Sequence, residues 1–216
     1  MIVVLLGPPG AGKGTQGERL ANCLRVPKLA TGDVLREAVR LGTPLGLAAK
    51  AAMDRGDLVP DEVILGIMKH ALGAPSAQRG VVLDGVVRTV PQAEGLSRVL
   101  RELGRTLDAV LLFEVNADEL VARLSGRTVC STCQTPYTGR APGSRCTKCG
   151  GTLVRRKDDE PDAVRNRLDV YDRQTAPVVA WYRAQNGAVR NIDAMGSVDD
   201  VFARVARALD VTCDPA

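Results

Sequence analysis

Ile2 to Leu6 is an unbroken run of β-branched and leucine side chains, and it empties at once into Gly7-Pro8-Pro9-Gly10-Ala11-Gly12-Lys13-Gly14-Thr15. A strand with no polar alternation is buried on both faces, as in a parallel sheet covered by helices. Helical spacing then runs from Thr15 to Leu24, so the order is strand, tight loop, helix. That context makes the loop a phosphate cradle. Glycines let successive N–H groups turn inward on a phosphate, the helix start adds positive potential, and Lys13 reaches the β- and γ-phosphates. Gly10, Ala11, Gly12, Lys13, Gly14 and Thr15 are therefore the expected contacts. The general motif has Ser or Thr directly after the lysine, whereas here Gly14 intervenes. This displacement points to a site in which direct Mg²⁺ ligation by the hydroxyl matters less.

Val81 to Leu83, Ala109 to Val115 and, more weakly, Ala188 to Ile192 read as further strands. Helical stretches alternate with them: Asp33 to Leu41, Leu45 to Arg55, Asp61 to Leu72, Pro91 to Leu103, Ala117 to Leu124, Asp162 to Gln185 with Pro177 inside it, and Val198 to Leu209. The alternation predicts an α/β fold with a doubly wound parallel sheet flanked by helices. Two segments break the rhythm. Residues 30–59 are purely helical, with breaks at Gly42-Thr43-Pro44 and Gly56, and read as an insertion. Residues 126–159 hold four cysteines, two prolines, several glycines and little apolar content, so they cannot build a core unaided. The core domain is then expected at 1–29, 60–125 and 160–216.

Cys130/Cys133 and Cys146/Cys149 are two CxxC pairs separated by twelve residues, the spacing of a tetrahedral four-cysteine site. Zinc is the expected metal, and with four protein ligands its role is structural. Iron or cobalt on the same thiolates, or a disulfide, are the other readings. Cys23 and Cys213 stand apart and are expected as a buried thiol and a tail thiol. No apolar run approaches the roughly 20 residues of a membrane helix, and Met1 to Leu6 lacks a basic leader, so a cytoplasmic protein without membrane contact is expected. Of 29 basic residues, 23 are arginine. That excess suits bidentate phosphate recognition, and base composition of the genome explains the total equally well. A single histidine, His70, argues against histidine-based catalysis, and it reads as a helix-surface residue. Trp181 and Tyr182 read as core anchors.

Four blocks now stand in order along the chain: GPPGAGKGTQ, the TGDVLR of Thr31 to Arg36, the LDGVVRTVPQA of Leu83 to Ala93, and the RKDDEPDAVRNRL of Arg156 to Leu168. Together they resemble the signature blocks of the adenylate kinases, in the long form with a cysteine-bearing lid, across essentially the whole chain. The resemblance implies reversible transfer of the ATP γ-phosphoryl group to AMP, giving two ADP, by a monomer that needs no nucleic acid. It makes residues 30–59 the NMP-binding insertion and residues 126–159 a zinc-knuckle lid. An acceptor phosphate is already anionic, so such a reaction needs positioning and positive charge rather than a general base.

By resemblance, Lys13, Arg88, Arg123, Arg156 and Arg167 are the catalytic residues, and Arg123, Arg127, Pro136, Tyr137 and Gly196 join the P-loop on ATP. Tyr137 and Pro136 have packing under the knuckle as their competing role. AMP falls to Thr31, Arg36, Asp57, Leu58, Val59, Gly85, Val86, Val87, Arg88, Gln92, Arg156 and Arg167, with Gln92 offering its amide to the adenine edge. Asp84 ends a hydrophobic strand, where a carboxylate holds waters of the Mg²⁺ that accompanies ATP. By resemblance, Asp158 and Asp159 orient the lid arginines or reach Mg²⁺ waters when closed, with a plain surface cluster as the competing reading. Where the family usually reads Asp-Gly-Phe-Pro-Arg, this chain has Asp84-Gly85-Val86-Val87-Arg88. A Val-Val peptide strongly prefers trans, so a reshaped turn under Arg88 is expected. UMP or CMP as acceptor is the nearest rival. An ATP-switched nucleic-acid binder gripping through the basic, cysteine-bearing segment is the rival of another class, and a net charge of only +4 argues against it.

Overall fold

The computed structural model describes residues 1–185 and 189–213. In chain order the elements are β1 (Ile2–Leu6), α1 (Lys13–Leu24), β2 (Lys28–Ala30), α2 (Thr31–Arg40), α3 (Pro44–Arg55), α4 (Asp61–Gly73), β3 (Val81–Asp84), α5 (Val90–Glu102), β4 (Ala109–Glu114), α6 (Ala117–Ser125), β5 (Arg127–Cys130), β6 (Pro136–Thr138), β7 (Leu153–Val154), α7 (Pro161–Val170), α8 (Ala176–Ala184), β8 (Val189–Asp193) and α9 (Val198–Leu209). Five strands form a parallel sheet in the order β2-β3-β1-β4-β8. The chain leaves β1 toward one edge and later returns to the other. Ligands in such sheets sit outside the strands' carboxyl ends at that reversal, where the loop after β1 lies.

All five side chains of β1 are buried, and they divide by parity. Ile2, Val4 and Leu6 pack on one face with Leu83, Val110, Leu112 and Tyr182, while Val3 and Leu5 pack on the other with Val82, Leu111, Phe113 and Ile192. Burying each such side chain contributes about 1.5–3 kcal/mol. The apolar run at the start of the sequence is thus the seam between two helix layers.

Several elements depart from the sequence reading. β2 was not expected: it is three residues long, follows Pro27 and lies at the sheet edge, too short to show a period. Ala188, the first residue of the expected last strand, lies outside the described residues. The helix expected over 162–185 is broken by a π turn at Tyr171–Thr175, ahead of Pro177. Pro177 itself sits in the first turn of α8, where its missing N–H is not needed. Residues 126–159 carry an antiparallel sheet, β6-β5-β7, which their glycine-rich composition concealed.

Cys23 and Cys213 correct the expectation of two separate thiols, because they are joined as a disulfide with Cα atoms 5.3 Å apart. α1 and α9 pack side by side, which brings their carboxyl ends together across 190 residues of sequence. No local pattern signals such a pairing. The peptide bonds of the described residues are all trans, Val86–Val87 among them. Those two valines are fully buried and join the same core layer as Leu83. His70 is exposed on α4, while Tyr182 is buried with Trp181 packed edge-on against it at 5.0 Å.

Candidate active site

A cleft of about 800 Å³ opens at the carboxyl end of the sheet, lined by the loop after β1, α2, the β3–α5 turn, α6, the lid strands and α7. Gly7 has φ 140°, and a Cβ there would stand 2.7 Å from the Phe113 carbonyl, so only glycine lets β1 turn out beside β4. Gly12, at φ 85°, caps α1 in the left-handed region. Lys13 opens the helix, and its ammonium donates to the carbonyls of Gly7 and Pro8 at 2.7 and 2.8 Å. Burial brings that ammonium down to about 8, with Asp84 opposing and Arg88 and Arg167 adding repulsion.

The other cations converge from separate elements. Burial, reinforced by Arg167, lowers Arg88 to about 10, and burial beside Arg36 and Arg127 lowers Arg156 to about 10. Arg167 is lowered too, chiefly by burial. Arg88 folds back on its turn, donating from Nε to the Gly85 carbonyl at 3.0 Å, and Thr31 Oγ1 donates to the same carbonyl at 2.8 Å. Nε of Arg36 and Nε of Arg156 are buried donors with no acceptor among the described residues. Buried donors are normally satisfied, so these two mark where an anion's oxygens belong.

Asp158 and Asp159 organise the arginines. Asp159 receives two hydrogen bonds from Arg127, one of them at 2.7 Å, and a third from Arg167 at 3.0 Å. Asp158 lies 3.3 Å from Arg167 and 4.0 Å from Arg36. Burial alone would raise the Asp158 carboxyl, but Arg167 and Arg36 hold it below the usual range. Arg123 is held by Glu119 at 2.7 Å and by the Ala194 carbonyl at 3.0 Å.

Most expected contacts line this one cleft: the P-loop residues, Thr31, Arg36, Asp57 to Val59, Asp84, Gly85, Val87, Arg88, Gln92, Arg123, Arg127, Pro136, Arg156, Arg167 and Gly196. Two do not. Val86 is wholly in the core, and Tyr137 turns toward the knuckle, its hydroxyl 3.1 Å from Cys146 Sγ and 3.0 Å from Thr147 Oγ1. The sequence reading passed over Asp61, which accepts from Gln92 at 2.7 Å, and Thr175, which donates to the Arg88 carbonyl at 2.9 Å. It also passed over Asn166, which donates to Asp57 at 2.7 Å. Each meets its partner only through the fold, and nothing local to Asp61 beyond its place at a helix start distinguishes it.

The four sulfurs of Cys130, Cys133, Cys146 and Cys149 lie within 4.8 Å of one another, with Cys130–Cys149 at 3.4 Å and Cys133–Cys146 at 3.6 Å. Zn–S bonds of about 2.3 Å put tetrahedral sulfurs roughly 3.8 Å apart, so the donor set fits zinc. Backbone N–H groups of Thr132 and Cys133 point at Cys130 Sγ, and that of Lys148 at Cys146 Sγ, each at 3.4 Å. The Tyr137 hydroxyl brings Cys146 down to about 6. Although the Gly151 N–H favours the Cys149 thiolate, the crowding of Cys133 and Cys130 pushes it up to about 12. Four sulfurs this close shed all their protons only around a cation.

The adenylate kinase family model matches residues 5–187. An adenylate kinase of Gemmatimonas aurantiaca is 66% identical over 98% of this chain and 100% of its own length. Those of Syntrophotalea carbinolica and Methanocella arvoryzae are each 46% identical over 97% of this chain and 98% of theirs. Among the described residues, no helix is long and apolar enough to cross a membrane. The reaction that goes with this relationship is ATP:AMP phosphotransfer giving two ADP, and the chain belongs to the adenylate kinase family.

Proposed function

We propose that the P-loop and Lys13 hold the ATP phosphates, that Arg88 and Arg36 hold the AMP phosphate, and that Arg123, Arg127, Arg156 and Arg167 surround the transferring group. The observation that carries this is the pair of buried, acceptorless guanidinium nitrogens on Arg36 and Arg156 beside Arg88 and Arg167. So much positive charge, lowered by burial and mutual repulsion, is stabilised when several anionic oxygens enter. The AMP phosphate attacks as an anion, and the cations offset the charge that builds as the two phosphate groups approach.

Mg²⁺ arriving with ATP would supply further charge neutralisation, and Asp84 would be the carboxylate that holds its waters. Cys130, Cys133, Cys146 and Cys149 would hold Zn²⁺ as a structural ion, with no position left for substrate. Gln92, buried at the floor of the cleft, would read the adenine edge. Residues 30–59 and 126–159 act as two flaps on the core. Asp158 joins them through Arg36 and ties to the core through Arg167, and Lys157 stands 3.9 Å from Asp54. Closure of both excludes water, which would otherwise take the phosphoryl group. We place the enzyme in the cytoplasm as a monomer.

A coupled assay of ATP against AMP, GMP, UMP and CMP tests the reading. ADP formation with AMP, lost by at least a hundredfold in kcat/KM on Arg88→Met, is expected. Equal rates with all four acceptors would overturn the assignment of the base site.

A further inference from the structure

The buried amide of Gln92 is held at both ends by partners of fixed polarity. Its Oε1 accepts the backbone N–H of Arg88 at 2.7 Å, and its Nε2 donates to Asp61 Oδ1 at 2.7 Å. A backbone N–H can only donate and a carboxylate can only accept, so the oxygen and nitrogen of this amide cannot exchange places. Thr89 extends the same chain of polarity. Its hydroxyl accepts from the Gln92 N–H at 3.2 Å, so its own proton goes to Asp61, 3.2 Å from each carboxylate oxygen. Asp61 reaches the site from the first turn of α4, thirty-one residues before Gln92, and does not itself line the cleft.

We propose that Asp61 is the positioning residue that sets the acceptor's base specificity, by locking the Gln92 amide so that the enzyme takes 6-amino purine monophosphates and refuses 6-oxo ones. The proposal rests on the reading that Gln92 faces the base. After its two protein bonds the amide keeps one N–H and one lone pair. Adenine offers an N6 amino donor beside a ring-nitrogen acceptor, which complements that pair. Hypoxanthine and guanine offer an O6 acceptor beside an N1–H donor, the reverse pattern. A free amide would meet them by turning over. Here turning over would set Nε2 against the Arg88 N–H and Oε1 against the Asp61 carboxylate, leaving two buried groups facing like partners.

The test compares kcat/KM for AMP and for IMP, which differ at the 6-position edge, in the wild type, Asp61→Asn, Asp61→Ala, Asp61→Glu and Gln92→Ala. Asparagine presents either a donor or an acceptor and alanine neither, so both variants remove the acceptor-only end of the lock, leaving the Arg88 N–H as the one fixed partner and making the amide easier to turn over. In both, the AMP-to-IMP ratio is expected to fall roughly ten- to hundredfold, with IMP gaining, while kcat at saturating AMP changes much less. Asp61→Glu, which keeps an acceptor-only partner, is expected to restore the ratio. Gln92→Ala is expected to flatten it. If Gln92→Ala flattens the ratio and the two Asp61 variants leave it unchanged, the lock is overturned and the base reading stands. An unchanged ratio in Gln92→Ala overturns both.

Discussion

Arg127 and Asp159 pair through both guanidinium prongs, and they stand at the two ends of the lid segment, one opening β5 and the other closing the turn before α7. Asp159 has 1% of its side chain exposed and also receives Arg167. The pair therefore ties together the two ends of residues 126–159. Breaking it leaves two arginines facing each other in a buried site, which costs about 3–5 kcal/mol. Asp159→Ala is expected to lower Tm by roughly 6–20 °C in a chain of this size, read by calorimetry. A shift within experimental error would mean that the pair does not hold the lid's base.

Lys13 gives the pH dependence a direction. On the proposed reading its ammonium holds the ATP phosphates, and burial brings it down to about 8 in the free enzyme. As pH rises through that value the positive charge is lost, so kcat/KM for ATP should decline above about pH 8. Bound phosphates favour the ammonium, so kcat should hold to higher pH than kcat/KM. The stability sign is the opposite: the unfolded chain keeps its proton up to the ordinary value of 10.5, so this group makes the free protein more stable as pH climbs from about 8 toward it. Parallel profiles for kcat and kcat/KM would contradict this account.

Metal removal should act on the lid and leave the catalytic side chains in place. The knuckle's own core is small, with Cys130, Cys146 and Leu153 buried and Tyr137 beside them. Chelation or Cys146→Ser is expected to lower Tm by several degrees and to open residues 130–150 to proteolysis. Reloading with Co²⁺ should give thiolate charge-transfer bands. Unchanged protease sensitivity in the stripped protein would show that the segment folds without metal.

The Cys23–Cys213 disulfide predicts a redox-dependent stability. Closing so long a loop contributes about 2–5 kcal/mol, so reductant or Cys213→Ser should lower Tm on the order of 5–10 °C. Steady-state activity at 25 °C should change little, because Cys213 is outside the cleft. Alkylation with and without reductant should differ by two thiols. An identical thiol count would refute the bond.

The legible parts of the molecule were those with a local pattern. The run Ile2 to Leu6 announces a doubly buried strand, and the loop after it allows little besides a phosphate cradle. The CxxC pairs carry their own geometry, and the arginines were placed by the motifs around them. What escaped lacks a short-range signal. β2 is three residues on an edge, and the lid strands are set by pairing across glycine-rich turns. Tyr137 stood open between a nucleotide contact and packing under the knuckle, and its hydroxyl meets Cys146 and Thr147. At the Val86–Val87 departure the turn is buried, with the two valines filling the core and Arg88 directed at Gly85. Asp61 became meaningful only when α4 was seen against α5.

In its oxidised form the chain is covalently a ring closed between residues 23 and 213, with the P-loop on a short arm before the closure. Residues 30–59, residues 126–159 and the cleft arginines Arg36, Arg88, Arg123, Arg127, Arg156 and Arg167 all belong to the ring. One cut in an exposed turn, such as the glycine-rich lid tips, would then open the ring without releasing a fragment. A nicked enzyme would run as a single species on a non-reducing gel and as two on a reducing one, keeping Lys13 and Arg167 in the same molecule after the backbone between them is broken.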